Sequence, residues 1–241
     1  MTIIFPMAGL SSRFLKSGYK LPKYQLLIDD KSVFSHVIEG FKAYFGIARF
    51  LFIYRDINES EKFIKKECKK LGLLNYGLIK LKKTTKGQAH TVALGIKKAK
   101  IKGQILIFNI DTFRPNFTLP DFNLSKIDGY LEVFCASGEH WSFILPGDES
   151  SNKVAKTTEK ERISNYCSSG LYYFKKASDF LSVFKQMYKD KETTKNEFYI
   201  APMYNKLIEK GKDIRYFKIN LDEIIFCGTP DEYEKLKDKY E

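Results

Sequence analysis

The sequence predicts an α/β protein with a Rossmann-like, mostly parallel central sheet, helices on both faces, and a smaller α+β portion. Three observations lead there. Short apolar runs alternate with amphipathic helical stretches as far as Asp111, the order that builds parallel sheets. The chemically richest segments, residues 6–23, 84–88 and 109–111, each follow such a run. Ligands of these sheets bind beyond the carboxyl ends of the strands.

Taken in order, Ile3-Ile4-Phe5 reads as a buried strand broken by Pro6-Met7-Ala8-Gly9. Residues 24–28 read as an edge-like extended piece, turned by Asp29-Asp30. Residues 32–45 carry Val33, Phe34, Val37, Ile38 and Phe41 at helical spacing. Residues 50–54 read as a strand, and Asn58-Glu59-Ser60-Glu61 as a capping box opening a helix to Leu71. A strand at 76–81, a helix at 87–99 and a strand at 105–108 complete the alternation. The second half predicts strands at 130–136, 141–145, 153–158 and 167–174, helices at 177–189 and 198–210, and late strands at 214–219 and 223–226. Thr229-Pro230-Asp231-Glu232 is a capping box with proline at the first helical position, so a helix follows.

A chain of 241 residues can bury a large core as one domain, 1–241, with a first half at 1–115 and a second at 116–241. No apolar run approaches a membrane span, and no signal peptide is visible, so a cytoplasmic protein is expected. Cys68, Cys135, Cys167 and Cys227 are too dispersed for zinc or disulfide patterns. His36, His90 and His140 show no ligand spacing; His36 reads as structural and Trp141 as core. The net charge of +12 is spread over many segments, which suits polyanionic small substrates and argues for no nucleic acid and no membrane as partners.

The chemistry concentrates in residues 3–23. Gly9, Ser11 and Ser12 let a backbone lined with N–H donors approach a ligand. Arg13 adds a planar fork of donors and Lys23 a point charge, together a socket for a polyphosphate. The loop is neither a Walker A loop, lacking Gly-Lys-Ser/Thr, nor a dinucleotide fingerprint. Asp111, directly after an apolar strand, suits Mg²⁺, which takes one or two carboxylates besides water and phosphate oxygens.

Pro6-Met7-Ala8-Gly9-Leu10-Ser11-Ser12-Arg13-Phe14 followed by Leu21-Pro22-Lys23 resembles the signature loop of the sugar-phosphate nucleotidyltransferases, with Ser11 in place of that family's second glycine. The resemblance runs over nearly the whole chain. It implies a GT-A-like fold and a Mg²⁺-dependent enzyme. Such an enzyme joins a nucleoside triphosphate to a phosphorylated sugar or other small acceptor, releases pyrophosphate, and serves capsule or surface polysaccharide biosynthesis. By resemblance, Met7, Ala8 and Gly9 touch the nucleoside, and Ser11, Ser12 and Arg13 the phosphates. Lys23 holds the α-phosphate and the attacking oxygen, Gly87 and Gln88 read the base, and Asp111 binds the metal. Glu159, Lys160, Gly170 and Glu197 resemble the acceptor side. Phe226-Cys227-Gly228-Thr229-Pro230 matches the family's Asp-Val-Gly-Thr-Pro, whose Asp is a metal ligand. Phenylalanine cannot replace it, so Asp222, with Glu223 beside it, is the substitute, or catalysis is lost. The base reads as a pyrimidine, CTP first, because the loop lacks the second glycine and the acceptor half diverges. A phosphorylated non-sugar such as phosphocholine or a phosphorylated amino acid is an alternative acceptor, and a homo-oligomer is left open. Two rivals stand beside this: a GT-A glycosyltransferase, of whose Asp-x-Asp only half is present in Asn109-Ile110-Asp111, and an inactive nucleotide-binding homologue.

Overall fold

The computed structural model describes residues 1–148 and 150–240. Strand β1 (Thr2–Met7) leads into the short helix α1 (Ser12–Lys16). The hairpin β2 (Leu27–Ile28) and β3 (Lys31–Ser32) precedes α2 (Val33–Gly40) and β4 (Arg49–Tyr54). Then come α3 (Ser60–Leu71), β5 (Tyr76–Lys80), α4 (Gln88–Ala99), β6 (Ile105–Ile107) and β7 (Thr112–Phe113). The second half holds β8 (Gly129–Cys135), β9 (Ser142–Asp148), β10 (Lys153–Glu159) and β11 (Tyr166–Phe174). It ends with α5 (Ala177–Asp190), α6 (Met203–Ile208), β12 (Ile214–Lys218), β13 (Ile225–Phe226) and α7 (Pro230–Tyr240).

The central first-half strands β1, β4 and β6 are almost wholly apolar because both their faces are covered. In β1, Ile3, Phe5 and Met7 pack under α2 and α3, while Ile4 points to the opposite face, where α4, α5 and α6 lie. Leu51 and Ile53 of β4 and Ile105 and Ile107 of β6 repeat that split. The expected helices on both faces of a central sheet are present.

One nine-stranded sheet runs in the order β5-β4-β1-β6-β11-β8-β12-β10-β9. It is less parallel than expected. β5, β4, β1 and β6 run parallel, as do β8 and β12, but β11 is antiparallel to β6 and β8, and β10 to β12 and β9. A register shift between Ser168 and Tyr172 bends β11, and Cys167 pairs with Phe143 of β9. β11, β8, β12, β10 and β9 therefore curl into a closed ring beside the parallel half.

Other differences have local causes. The helix expected to 45 stops at Gly40, which lies so close to β7's following residue that a Cβ would meet the Arg114 carbonyl oxygen at 2.3 Å. The helix expected from Phe198 begins at Met203, after Pro202. Phe198 is held extended by its N–H donating to the Lys86 carbonyl (2.8 Å) and its carbonyl accepting from Ala89 (3.0 Å). Residues 24–28 are a 3-10 turn followed by the two residues of β2. Asn58 does not cap α3; its amide donates to the Lys20 carbonyl, and the Asp56 carboxylate accepts from the Glu61 N–H (3.2 Å). The Thr229 capping box forms as expected, Thr229 N–H donating to Glu232 at 2.9 Å and Glu232 N–H to the Thr229 hydroxyl at 3.3 Å.

Candidate active site

A cleft of about 610 Å³ opens at the carboxyl ends of β1, β5 and β6 and continues over the curled half. One wall is the loop after β1, where the sequence predicts nucleotide contacts. Met7 and Ala8 are buried, and Gly9, Ser12 and Arg13 are exposed. Ser11 sits in the left-handed region at φ 49°, and its hydroxyl accepts from the Lys23 N–H at 3.2 Å, so one bond fixes the loop to the lysine that follows Pro22. The Lys23 ammonium donates to the Asp111 carboxylate, which stands beyond β6. The two residues most central to the expected chemistry, 88 positions apart, are thus in direct contact.

Gln88, expected to read the base, and Asn109 are joined, the glutamine amide donating to the asparagine oxygen at 2.6 Å. Gly87, at φ +102°, also lines the cleft. Its missing side chain matters for a different contact than expected: a Cβ there would lie 2.7 Å from both the N and the O of Phe198, so the glycine admits the 197–198 segment. Thr85 does not cap α4 but bonds the Thr91 hydroxyl at 2.7 Å. Gly87→Ala should combine left-handed strain with a backbone clash and cost about 2–4 kcal/mol, read as a melting temperature lower by roughly 4–15 °C. A wild-type melt would show that the Phe198 contact gives way freely.

The residues expected on the acceptor side lie on the opposite part of the cleft or just behind it. Glu159 accepts from the Ser142 hydroxyl, and its carboxyl is pushed up by burial, against the lowering effects of Ser142 and Lys160. Lys160 does not line the cleft itself; its ammonium lies 4.0 Å from Glu159, donates to the Tyr199 hydroxyl and sits 4.4 Å from that ring's centre. Burial, and then the Glu197 carboxylate, push the Tyr199 hydroxyl up. Gly170, at φ +88°, lines the floor, where a Cβ would meet the Asn109 amide at 2.1 Å. Glu197 is exposed and lines the wall.

Asp222 is not brought to this cleft. It is exposed in a 3-10 turn, and Glu223 caps that turn by accepting from the Asn220 N–H at 2.8 Å. The other carboxylate that lies with Asp111 around Gly228 is Glu232 of α7, which the sequence offers only as a cap. The position of a Cβ on Gly228 is 3.1 Å from Asp111 and 3.7 Å from Glu232. Glu232 also accepts from the Gly228 N–H at 2.8 Å. The signal was available in the capping-box spacing, since a reciprocal cap turns that side chain toward the preceding loop.

Trp141 is likewise more than core: with His140 and Phe226 it lines the cleft. Its ring lies 4.8 Å from Phe226 and 5.2 Å from Phe134. No local pattern announces this, because the ring closure of β9 onto β11 creates it. His36 is structural as expected, bonded to the Ile28 carbonyl and stacked on Phe113. His90 stays outside, accepting from the Lys86 N–H and stacked on Phe184.

No protein-family model and no curated protein matches the sequence. Among solved structures, the nucleoside-diphosphate-sugar pyrophosphorylase from Vibrio cholerae is 44% identical, with a TM-score of 0.93 over 98% of this chain and 99% of that one. The apo UDP-glucose pyrophosphorylase (15% identical, TM-score 0.74, 99% and 97% covered) and the inositol-1-phosphate CTP transferase from T. maritima (17%, 0.70, 99% and 95%) share the fold. Fold and cleft define an enzyme of the nucleotidyltransferase class. Within that class, the chain belongs to the nucleoside-diphosphate-sugar pyrophosphorylase family. No helix among the described residues is long and apolar enough to cross a membrane.

Proposed function

We propose that this GT-A-like chain transfers a nucleoside monophosphate, from CTP by preference, to a phosphorylated small acceptor with release of pyrophosphate, supplying activated units for capsule or surface polysaccharide assembly. The observation that carries the reading is the Lys23–Asp111 contact beside the Ser11–Arg13 loop, with acceptor-type residues facing it. Residues 1–115 act as the nucleotide half of a single domain and 116–241 as the acceptor half.

The transfer needs an acceptor phosphate oxygen in line with the α-phosphorus and a stabilised pyrophosphate leaving group. Positioning and charge neutralisation supply most of the rate. The N–H groups of residues 9–12 and the Arg13 guanidinium receive the outgoing phosphates. Lys23 bridges the α-phosphate and the attacking oxygen. Met7, Ala8 and Gln88 hold the nucleoside, and the Gln88–Asn109 bond fixes the amide that faces the base.

The donor set for a metal is hard oxygen, Asp111 with Glu232 across Gly228, which suits Mg²⁺ better than a softer ion. These two carboxylates would hold the ion together with phosphate oxygens and water, as Mg²⁺ sites on phosphate substrates ordinarily do. When bound, Mg²⁺ neutralises phosphate charge. On the acceptor side, the Glu159 and Glu197 carboxylates beside the Trp141, Phe226 and Tyr199 rings favour an acceptor with a cationic group, such as phosphocholine or a phosphorylated amino acid.

Thermal melts with ATP, GTP, CTP, UTP and dTTP, each with and without Mg²⁺, test the nucleotide. A ligand at 100 times its dissociation constant adds about 2.7 kcal/mol, a shift of roughly 5–10 °C for a chain of this size. The expected result is a Mg²⁺-dependent shift, largest with CTP. Pyrophosphate release from CTP with glucose 1-phosphate, phosphocholine and phosphoserine then sorts the acceptors. A chain that responds to nucleotide diphosphate sugars and to no triphosphate would overturn the reading in favour of glycosyl transfer.

A further inference from the structure

Beneath the cleft lies an ion pair that the transfer chemistry does not use. Arg114, 2% exposed, follows β7, and Glu132, fully buried, is central in β8. The Arg114 Nε donates to both Glu132 oxygens at 3.1 Å. One guanidinium nitrogen donates to the Glu223 carbonyl at 3.1 Å, and the same nitrogen lies 3.7 Å from the Glu223 carboxylate. On its other side Glu132 accepts from the Ser169 hydroxyl at 2.9 Å, and Ser169 lines the cleft floor.

Two strand positions on, β8 presents Phe134 on the same face as Glu132. Phe134 packs against Phe226 at 5.3 Å and Trp141 at 5.2 Å. The segment 223–226 is thus fixed at two points on one strand: its start by the ion pair, its end by the aromatic trio. That segment carries Phe226 into the acceptor wall, two residues before Gly228 and the turn that places Glu232.

The pair is a costly way to fill space. Replacing a buried ion pair by apolar groups of similar volume is often neutral or stabilising, and burial pushes the Glu132 carboxyl up despite the opposing effects of Arg114 and Ser169. What the pair provides that apolar groups cannot is direction. The rigid guanidinium fork aims one donor at the Glu223 carbonyl while Glu132 ties that fork to the floor at Ser169.

We propose that Arg114 and Glu132 are positioning residues, which hold segment 223–226 and the floor residue Ser169 in one register and so set the Phe226–Trp141 wall of the acceptor subsite. Its meaning for catalysis rests on the acceptor reading given above; the placement of the wall does not.

Trp141 is the chain's single tryptophan and lies on the wall in question, so its fluorescence reads the proposal without any substrate. The variant is the apolar double exchange Arg114→Met with Glu132→Leu. It should melt close to the wild type, yet its Trp141 emission should shift to the red and its acrylamide quenching at least double. With the acceptor among glucose 1-phosphate, phosphocholine and phosphoserine that turns over, the acceptor KM should rise about tenfold while the CTP KM stays within twofold. If the double variant does not fold, Glu132→Gln, which keeps volume and an acceptor oxygen, should show the same changes in smaller measure. A folded variant with wild-type quenching of Trp141 overturns the proposal. A raised quenching with none of the three acceptors turned over leaves the positioning intact and removes the acceptor reading instead.

Discussion

Lys23→Ala is expected to lower kcat by about 10²–10³-fold, with the KM for the nucleoside triphosphate changed only a few-fold. The lysine's proposed partners are the α-phosphate and the attacking oxygen, whose charges come together only in the transition state, and interactions realised there raise kcat rather than affinity. Fold stability should hardly move. The Lys23–Asp111 pair is part exposed, at 25% and 18% for the two side chains, and such solvent-screened pairs contribute about 0–1 kcal/mol. The separation of a large kinetic loss from a small change in melting temperature is what identifies a catalytic role. Lys23→Arg should rescue poorly, because a planar fork cannot take the place of a compact ammonium at a shared point. Equal turnover in Lys23→Ala and the wild type would remove the residue from the mechanism.

Much of this molecule can be read from local pattern, and the limits of that reading have physical causes. β1, β4 and β6 were legible because strands covered on both faces are apolar at every position, as in Ile3-Ile4-Phe5. Residues 9–23 stand out because small residues and cations at close spacing lie in one continuous stretch, and the structure places Lys23 against Asp111. What local pattern could not show depends on chain pairing at a distance. β7, which no sequence pattern announces, has two residues and exists only because Phe113 finds Ile225 and Thr112 finds Phe226 in the strand expected at 223–226. The helix expected from Phe198 fails because that residue's N–H and carbonyl are taken by Lys86 and Ala89, over a hundred positions earlier. A regular strand would put Asp222 on the same face as Phe226, four residues on, but the 3-10 turn at Leu221–Glu223 breaks that period and leaves its side chain in solvent. The wall of Trp141 and Phe226 arises where β9 closes on β11, a contact without a local signature.

Asp111→Asn is expected to abolish turnover and, with it, the part of the CTP thermal shift that depends on Mg²⁺. The exchange keeps the side chain's shape and removes its charge, and a hard divalent cation loses its anionic ligand. Loss of turnover alone would be ambiguous, because the same exchange strips Lys23 of its anionic partner. The thermal readout resolves this, since it needs no acceptor and no catalysis: Mg²⁺ should add nothing to the CTP-dependent shift in Asp111→Asn, while the shift by CTP alone persists through the loop and Gln88. Glu232→Gln divides the remaining question. Its amide oxygen can still accept from Gly228 and Thr229, so α7 keeps its cap, and only the charge is lost. A Mg²⁺ response weakened in Glu232→Gln and unchanged in Asp222→Asn would place the second carboxylate on α7, in a chain where Phe226 occupies the position that carries an aspartate in the motif it resembles. Normal Mg²⁺-dependent turnover in Asp111→Asn would show that the metal is held elsewhere, and the role given to the carboxylate beyond β6 would fall.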